Sequence, residues 1–270
     1  MNNKQDNKKI EKLLGIVARL RAPDGCPWDR EQTHETLKPY LVEETYEALE
    51  AIDHKNYKGL CEELGDILLH VVFHANLAQE EGHFNFDDVV ASANNKMIHR
   101  HPHVFSDARA DTVDDVWRHW EKIKGEEKKA KKEVGSVLEN VPKALPSLYR
   151  ADKLQRRAAR IGFDWDNIAG AWEKVYEELQ ELKEVYEGDD KEKISEEIGD
   201  LLFSIVNISR KLNLDAEEAL RGSIDKFMKR FHYIEEQTTA KGKDLQKMPL
   251  EEMDRLWREG KAKLASEQGS

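Results

Sequence analysis

The chain has 270 residues, 36% of them charged and 39% apolar, with a net charge of −11. No apolar run reaches the length of a membrane span, and Met1 to Lys9 is polar rather than signal-like, so a cytoplasmic protein with no membrane partner is expected. The negative balance argues against broad binding to a nucleic-acid backbone, and two cysteines, Cys26 and Cys61, make neither a disulfide framework nor a zinc-type pair.

Strand signals are nearly absent, and helical periodicity runs along the chain. Leu60, Leu64, Ile67, Leu68 and Val71 follow the i, i+3, i+4, i+7 rule of a one-sided helix. Gly82 marks a turn, and Pro102 ends the next helix. Around it, alternating His99, His101 and His103 could ligate a transition metal. No cysteine accompanies them, which favours a structural or dimer-contact loop. A charged run from Glu126 to Glu133, then Gly135-Ser136, reads as a solvated helix end or a linker. Beyond it, Ile194, Ile198, Leu201, Leu202, Ile205, Ile208 and Leu212 again give a one-sided helix, preceded by the turn Gly188-Asp189-Asp190. Gly242 and Pro249 punctuate the last helices.

The sequence repeats. Glu43-Glu44-x-x-Glu47 recurs as Glu177-Glu178-x-x-Glu181, and Glu62-Glu63-Leu64-Gly65-Asp66 as Glu196-Glu197-Ile198-Gly199-Asp200, both 134 residues on. Gly25-Cys26-Pro27-Trp28-Asp29 recurs as Gly162-Phe163-Asp164-Trp165-Asp166. Lys96 and Arg100 recur as Lys226 and Arg230, and Trp120 and Lys124 as Trp257 and Lys261. Two copies are too few for a solenoid and make two homologous domains instead. The expected boundaries are 1–125 and 138–270, joined by 126–137. The expected fold is all-α, two tandem helical bundles each built round an antiparallel helix hairpin.

Glu178 and Glu181 share a helix face, as do Glu197 and Asp200 on the next helix. About Asp189, Glu181 and Glu197 are each eight residues away, and Glu178 and Asp200 eleven. Folding the two helices antiparallel therefore gathers four carboxylates on one patch. Glu44, Glu47, Glu63 and Asp66 do the same about Lys55. Crowded carboxylates repel unless protonated or metal-bound, and hard oxygen ligands suit Mg²⁺, or alternatively Mn²⁺, rather than Zn²⁺. Solvated glutamates on ordinary helices are the plain alternative for one such motif. The repeated, symmetric set argues against it. In the second copy Lys174 and Lys193 lie one turn before Glu178 and Glu197 and can point at the acidic patch; the first copy has Tyr40 and Gly59 there.

These residues resemble the MazG family of the all-α NTP pyrophosphatases, whose signature is EExxE followed by ExxD. The resemblance extends to Gly25-Cys26-Pro27-Trp28-Asp29, Glu31-Gln32-Thr33, Arg100-His101-Pro102-His103-Val104-Phe105 and Gly162-Phe163-Asp164-Trp165, and covers the chain from about Leu13 to Lys261. It implies a homodimer that uses Mg²⁺ to hydrolyse NTPs and dNTPs to the monophosphate and pyrophosphate. Carried onto this chain, it implies catalytic roles for Glu177, Glu178, Glu181, Glu197 and Asp200, the last four as metal ligands. It also implies nucleotide contacts from Lys174, Lys193, Glu196, Lys226 and Arg230, and base stacking on Trp257. Because the first copy lacks the two lysines, turnover is expected mainly from the second, with Glu44, Glu47, Glu63 and Asp66 as a second metal patch. A non-catalytic nucleotide-binding regulatory dimer on the same fold is the alternative.

Overall fold

Both hairpins begin their second helix on a side-chain cap. Asn56 accepts the Gly59 N–H at 3.0 Å and Asp190 accepts the Lys193 N–H at 3.1 Å, each satisfying one of the orphan donors of a helix start. Just before Asn56, Lys55 turns the chain in the left-handed region, at φ 53°. The computed structural model describes residues 3–130 and 136–268, with no strand among them, and falls into two compact units, Met1–Glu133 and Val134–Ser270.

The first unit comprises α1 (Asn3–Arg21), α2 (Pro27–Glu31), α3 (Lys38–Asp53), α4 (Tyr57–Glu80), α5 (Phe86–Arg100), α6 (Pro102–Phe105) and α7 (Val113–Ala130). The hairpin is α3–α4, and α1 packs on α4. Its core is Val17, Leu37, Val72, Phe73 and Leu77. Gly25 lets the chain leave α1 tightly: Cys26 N–H donates to the Leu20 carbonyl at 2.8 Å, and a Cβ at Gly25 would collide with the Leu20 and Arg19 carbonyl oxygens. The charged run at the expected junction continues α7 as helix through Ala130, and residues 131–135 lie outside the described residues.

The second unit comprises α8 (Ser147–Arg160), α9 (Ile168–Val185), α10 (Lys191–Lys211), α11 (Ala216–Ala240), a 3₁₀ turn (Leu245–Lys247) and α12 (Leu250–Gln268). The hairpin is α9–α10, with α8 against α10 and α12 against α11. Two small cores hold it: Ala171, Val175 and Ile208 between α9 and α10, and Ile234, Met248 and Leu256 between α11 and α12.

The apolar stripe of α10 serves two faces. Ile208 is buried and Leu201 packs on the hairpin core, but Ile198, Leu202, Ile205 and Leu212 are 45–51% exposed. The stripe is thus wider than the second unit by itself covers, and Trp172 and Tyr176 on α9 are likewise exposed.

One ion-pair cluster fixes the start of the α9–α10 hairpin. Asp164, in the loop before α9, accepts from Arg210 Nη1 at 3.0 Å and Nη2 at 2.5 Å and stands 3.0 Å from Lys211 Nζ, both at the end of α10. The Arg210 side chain is 9% exposed, so the pair is largely desolvated. Its hydrogen bonds from Arg210, foremost, hold the Asp164 carboxyl down to about 2. Asp164→Asn is expected to cost on the order of 2–3 kcal/mol, because it leaves a mostly buried guanidinium without its counter-charge. A depressed carboxylate stabilises fully above its unfolded value of about 3.9. That contribution is lost as pH falls through about 2. Thermal unfolding should therefore show a melting-point gap between wild type and variant at neutral pH that narrows towards pH 2; equal melting points at pH 7 would refute the role.

Candidate metal and nucleotide site

In the second unit the hairpin brings together Glu178 of α9 with Glu197 and Asp200 of α10. One carboxylate oxygen from each lies within 4.8 Å of the others. Glu178 is 4% exposed, at the floor of the patch. Glu181, one turn on, is exposed and stands outside this trio. Partial desolvation, then the charges of Glu178 and Glu197, raise its proton affinity above that of an ordinary glutamate. The first unit repeats the trio as Glu44, Glu63 and Asp66, with Glu47 exposed beside it.

Lysine distinguishes the two patches. Lys174 Nζ lies 2.5 Å from Glu178 and 2.9 Å from Glu177. These contacts, that to Glu178 foremost, hold its ammonium well above the usual lysine range. Tyr40 occupies the corresponding place and makes an edge contact with Trp28 at 6.0 Å. In the patch without that lysine, Glu44, Glu47 and Glu63 are all raised, first by partial desolvation and then by neighbouring carboxylates, Asp66 for Glu44, Glu63 for Glu47 and Glu44 for Glu63. One carboxylate oxygen of Glu44 lies within 4.8 Å of one of Glu63. The glutamates of the first patch take up protons more readily than ordinary ones, whereas the second patch is partly neutralised by Lys174.

The donor set is all hard oxygen, carboxylates open to solvent on one side, which fits Mg²⁺ or Mn²⁺ with retained waters better than a soft or tetrahedral ion. Glu178, Glu197 and Asp200 could hold such an ion in the second unit, and Glu44, Glu63 and Asp66 in the first.

The other expected nucleotide contacts lie apart from this trio. Lys193 is exposed on the first turn of α10, Glu196 is exposed near Glu197, and Lys226 is exposed on α11. Arg230 of α11 stacks over the Trp257 ring of α12 at 5.4 Å, and Phe227 stands 5.2 Å from the same ring. Trp257 also packs on the α11–α12 core. Among the described residues no contact joins Lys226, Arg230 or Trp257 to the carboxylates of α9 and α10. In the first unit Arg100 stacks on Trp120 at 5.4 Å and also pairs with Glu127 at 2.7 Å. Arg230 has no acidic partner among the described residues, and its Nε is shielded from solvent without a hydrogen-bond partner. One of the two equivalent arginines is thus neutralised, and the other is available to an anion.

Three groups shape these surroundings that sequence reasoning did not single out: Arg210, Glu127 and His119. Arg210 is 46 residues from its partner and Glu127 is 27. At such separations no periodicity signal connects two residues. Glu127 also lay inside the run read as a possible linker.

A family model described as the MazG nucleotide pyrophosphohydrolase domain matches residues 32–105 and 170–234, one stretch in each unit, each containing that unit's carboxylate trio. Over 252 residues the chain is 48% identical to a nucleoside triphosphate pyrophosphohydrolase/pyrophosphatase MazG from Thermotoga maritima, covering 93% of this chain and 95% of that one. It is 45% identical over 258 residues to a nucleoside triphosphate pyrophosphohydrolase from Escherichia coli, covering 94% and 97%. No helix among the described residues is long and apolar enough to cross a membrane.

Proposed function

The chain belongs to the MazG nucleotide pyrophosphohydrolase family, and from that premise we propose that it cuts nucleoside triphosphates, ribo or deoxy, into the monophosphate and pyrophosphate at the carboxylates of the α9–α10 hairpin, with Mg²⁺ as its ion. The observation that carries this reading is the convergence of Glu178, Glu197 and Asp200 within 4.8 Å beside a lysine, inside a region matched by the family model. A bound Mg²⁺ would join this acidic patch to the phosphate chain and draw charge from the scissile bond.

The chain's own residues divide the remaining work. Glu178 fixes Lys174 at the rim, where the ammonium can turn to the phosphates once Glu178 is otherwise engaged. Glu181 holds a proton more readily than an ordinary glutamate, so it is assigned to accept the proton of the attacking water. Arg230, without an acidic partner, and exposed Lys193 and Lys226 supply further charge for a polyanion, while Trp257 offers a ring to the base. The first unit lacks the lysines and has its arginine paired with Glu127, so it is assigned little turnover.

The exposed stripe Ile198, Leu202, Ile205 and Leu212 supports a homodimer that covers it. Sedimentation at micromolar concentration should give a species heavier than one chain, and a strict monomer would refute the dimer. The experiment for the reaction itself is incubation with each NTP and dNTP in Mg²⁺, followed by chromatography of the products. Monophosphate and pyrophosphate are expected; diphosphate with orthophosphate as the main products would refute it, and nucleotide binding without turnover would favour a regulatory role.

A further inference from the structure

Two turns of the first unit gather histidines that the carboxylate chemistry does not use. His101 caps α6 and His103 lies on it, while His119 comes from the middle of α7. The His101 and His103 rings stand 5.6 Å apart, centroid to centroid, and those of His103 and His119 6.4 Å. His101 Nδ1 lies 2.7 Å from the Met97 carbonyl oxygen, so it must carry the proton and donate, which leaves the Nε2 lone pair free. His103 Nδ1 and His119 Nδ1 are both shielded from solvent with no hydrogen-bond partner. A buried polar nitrogen left unsatisfied is costly, and two in one cluster call for a shared partner.

The homologous unit has no imidazole at the aligned positions. At the offsets that pair Arg100 with Arg230 and Trp120 with Trp257, the three positions are Phe231, Tyr233 and Leu256. Leu256 is fully buried in the α11–α12 core. The second unit thus carries apolar and aromatic side chains at the aligned positions, and α11 runs unbroken there where the first unit divides into α5 and α6. The cluster is also braced. Arg100 holds Glu127 of α7 and stacks on Trp120, whose ring in turn meets His101 edge-on at 6.0 Å.

We propose that His101, His103 and His119 form a binding site for a divalent transition ion of the Zn²⁺ class, separate from the Mg²⁺-type carboxylate patches. Imidazole suits zinc where carboxylate suits magnesium, so one chain can sort the two ions by ligand type. The ring nitrogens do not all lie within 4.8 Å of one another. With N–metal bonds of about 2.0–2.1 Å, ligating ring centroids lie about 5 Å apart, so closure on an ion needs rotation of the rings as well as roughly an ångström of approach. Three imidazoles leave a fourth position for water. Bound there, the ion would tie α6 to α7 as a cross-link within the first unit.

The test is equilibrium dialysis of metal-stripped full-length protein against roughly micromolar free Zn²⁺, with excess Mg²⁺ to occupy the carboxylates. The wild type is compared with His103→Phe/His119→Leu and with His101→Phe, all checked for unchanged helical circular dichroism. The wild type should retain one Zn²⁺ per chain more than either variant, and Co²⁺ should give a ligand-field absorption that the variants lose. Equal Zn²⁺ retention by wild type and a folded variant would overturn the proposal. If the double variant fails to fold, the single His101→Phe comparison decides.

Discussion

Glu178→Gln is expected to lower NTP hydrolysis at least about a thousandfold, a loss of about 4 kcal/mol in transition-state stabilisation. Glu178 is the most buried member of the trio, at 4% exposed, and its oxygen lies within 4.8 Å of those of Glu197 and Asp200. Gln keeps the size and can still accept from Lys174, so the fold should persist while one negative charge leaves the ion's ligand set. Initial rates at saturating NTP, with Mg²⁺ varied, check this. A partial recovery at high Mg²⁺ would mark the defect as weakened ion binding. The equivalent Glu44→Gln should leave the rate within about threefold of wild type, since its patch has no lysine and is assigned little turnover. Similar losses from both substitutions would contradict the assignment of turnover to the second unit.

Lys174→Met should reduce kcat/KM by roughly ten- to a hundredfold, since one charge-assisted contact is worth about 1.5–3 kcal/mol. A second effect follows from comparing the two patches. Where Tyr40 stands in place of lysine, Glu44, Glu47 and Glu63 all hold protons more tightly than usual. The Lys174 charge lowers the proton affinity of Glu181, so removing it should raise Glu181 further. A general base must be ionised to accept a proton, so activity is lost as pH falls through its pKa. Raising that value moves the acidic limb of the pH–rate profile to higher pH. A variant with a reduced rate but an unmoved acidic limb would leave Lys174 as a phosphate contact alone, and an unchanged rate would remove it from the site.

The sequence pointed to four carboxylates in each hairpin because helical spacing and chain reversal are local rules; the structure gathers three of each four, leaving out Glu181 and Glu47. Equal counts from Asp189 and from Lys55 place Glu178 against Asp200 and Glu44 against Asp66 once the helices run antiparallel, and caps at Asn56 and Asp190 start the returning helices on time. Other features were beyond such rules. Apolar periodicity on α10 read as one face, yet Ile208 points into the hairpin while Ile198, Leu202 and Ile205 face outward, because a pattern of hydrophobicity does not say which chain will cover it. The alternating histidines around Pro102 were visible without His119, which the packing of α5 on α7 brings beside His103. Asp164 stood out as part of a motif, but its role needed Arg210 and Lys211 from the far end of α10.

The most direct measurement disables the first patch and leaves the second untouched. The triple variant Glu44→Gln/Glu63→Gln/Asp66→Asn, incubated with NTP and Mg²⁺, should form monophosphate and pyrophosphate at close to the wild-type rate. Loss of turnover in that variant, with its helical content intact, would contradict the account and move the catalytic carboxylates to the α3–α4 hairpin.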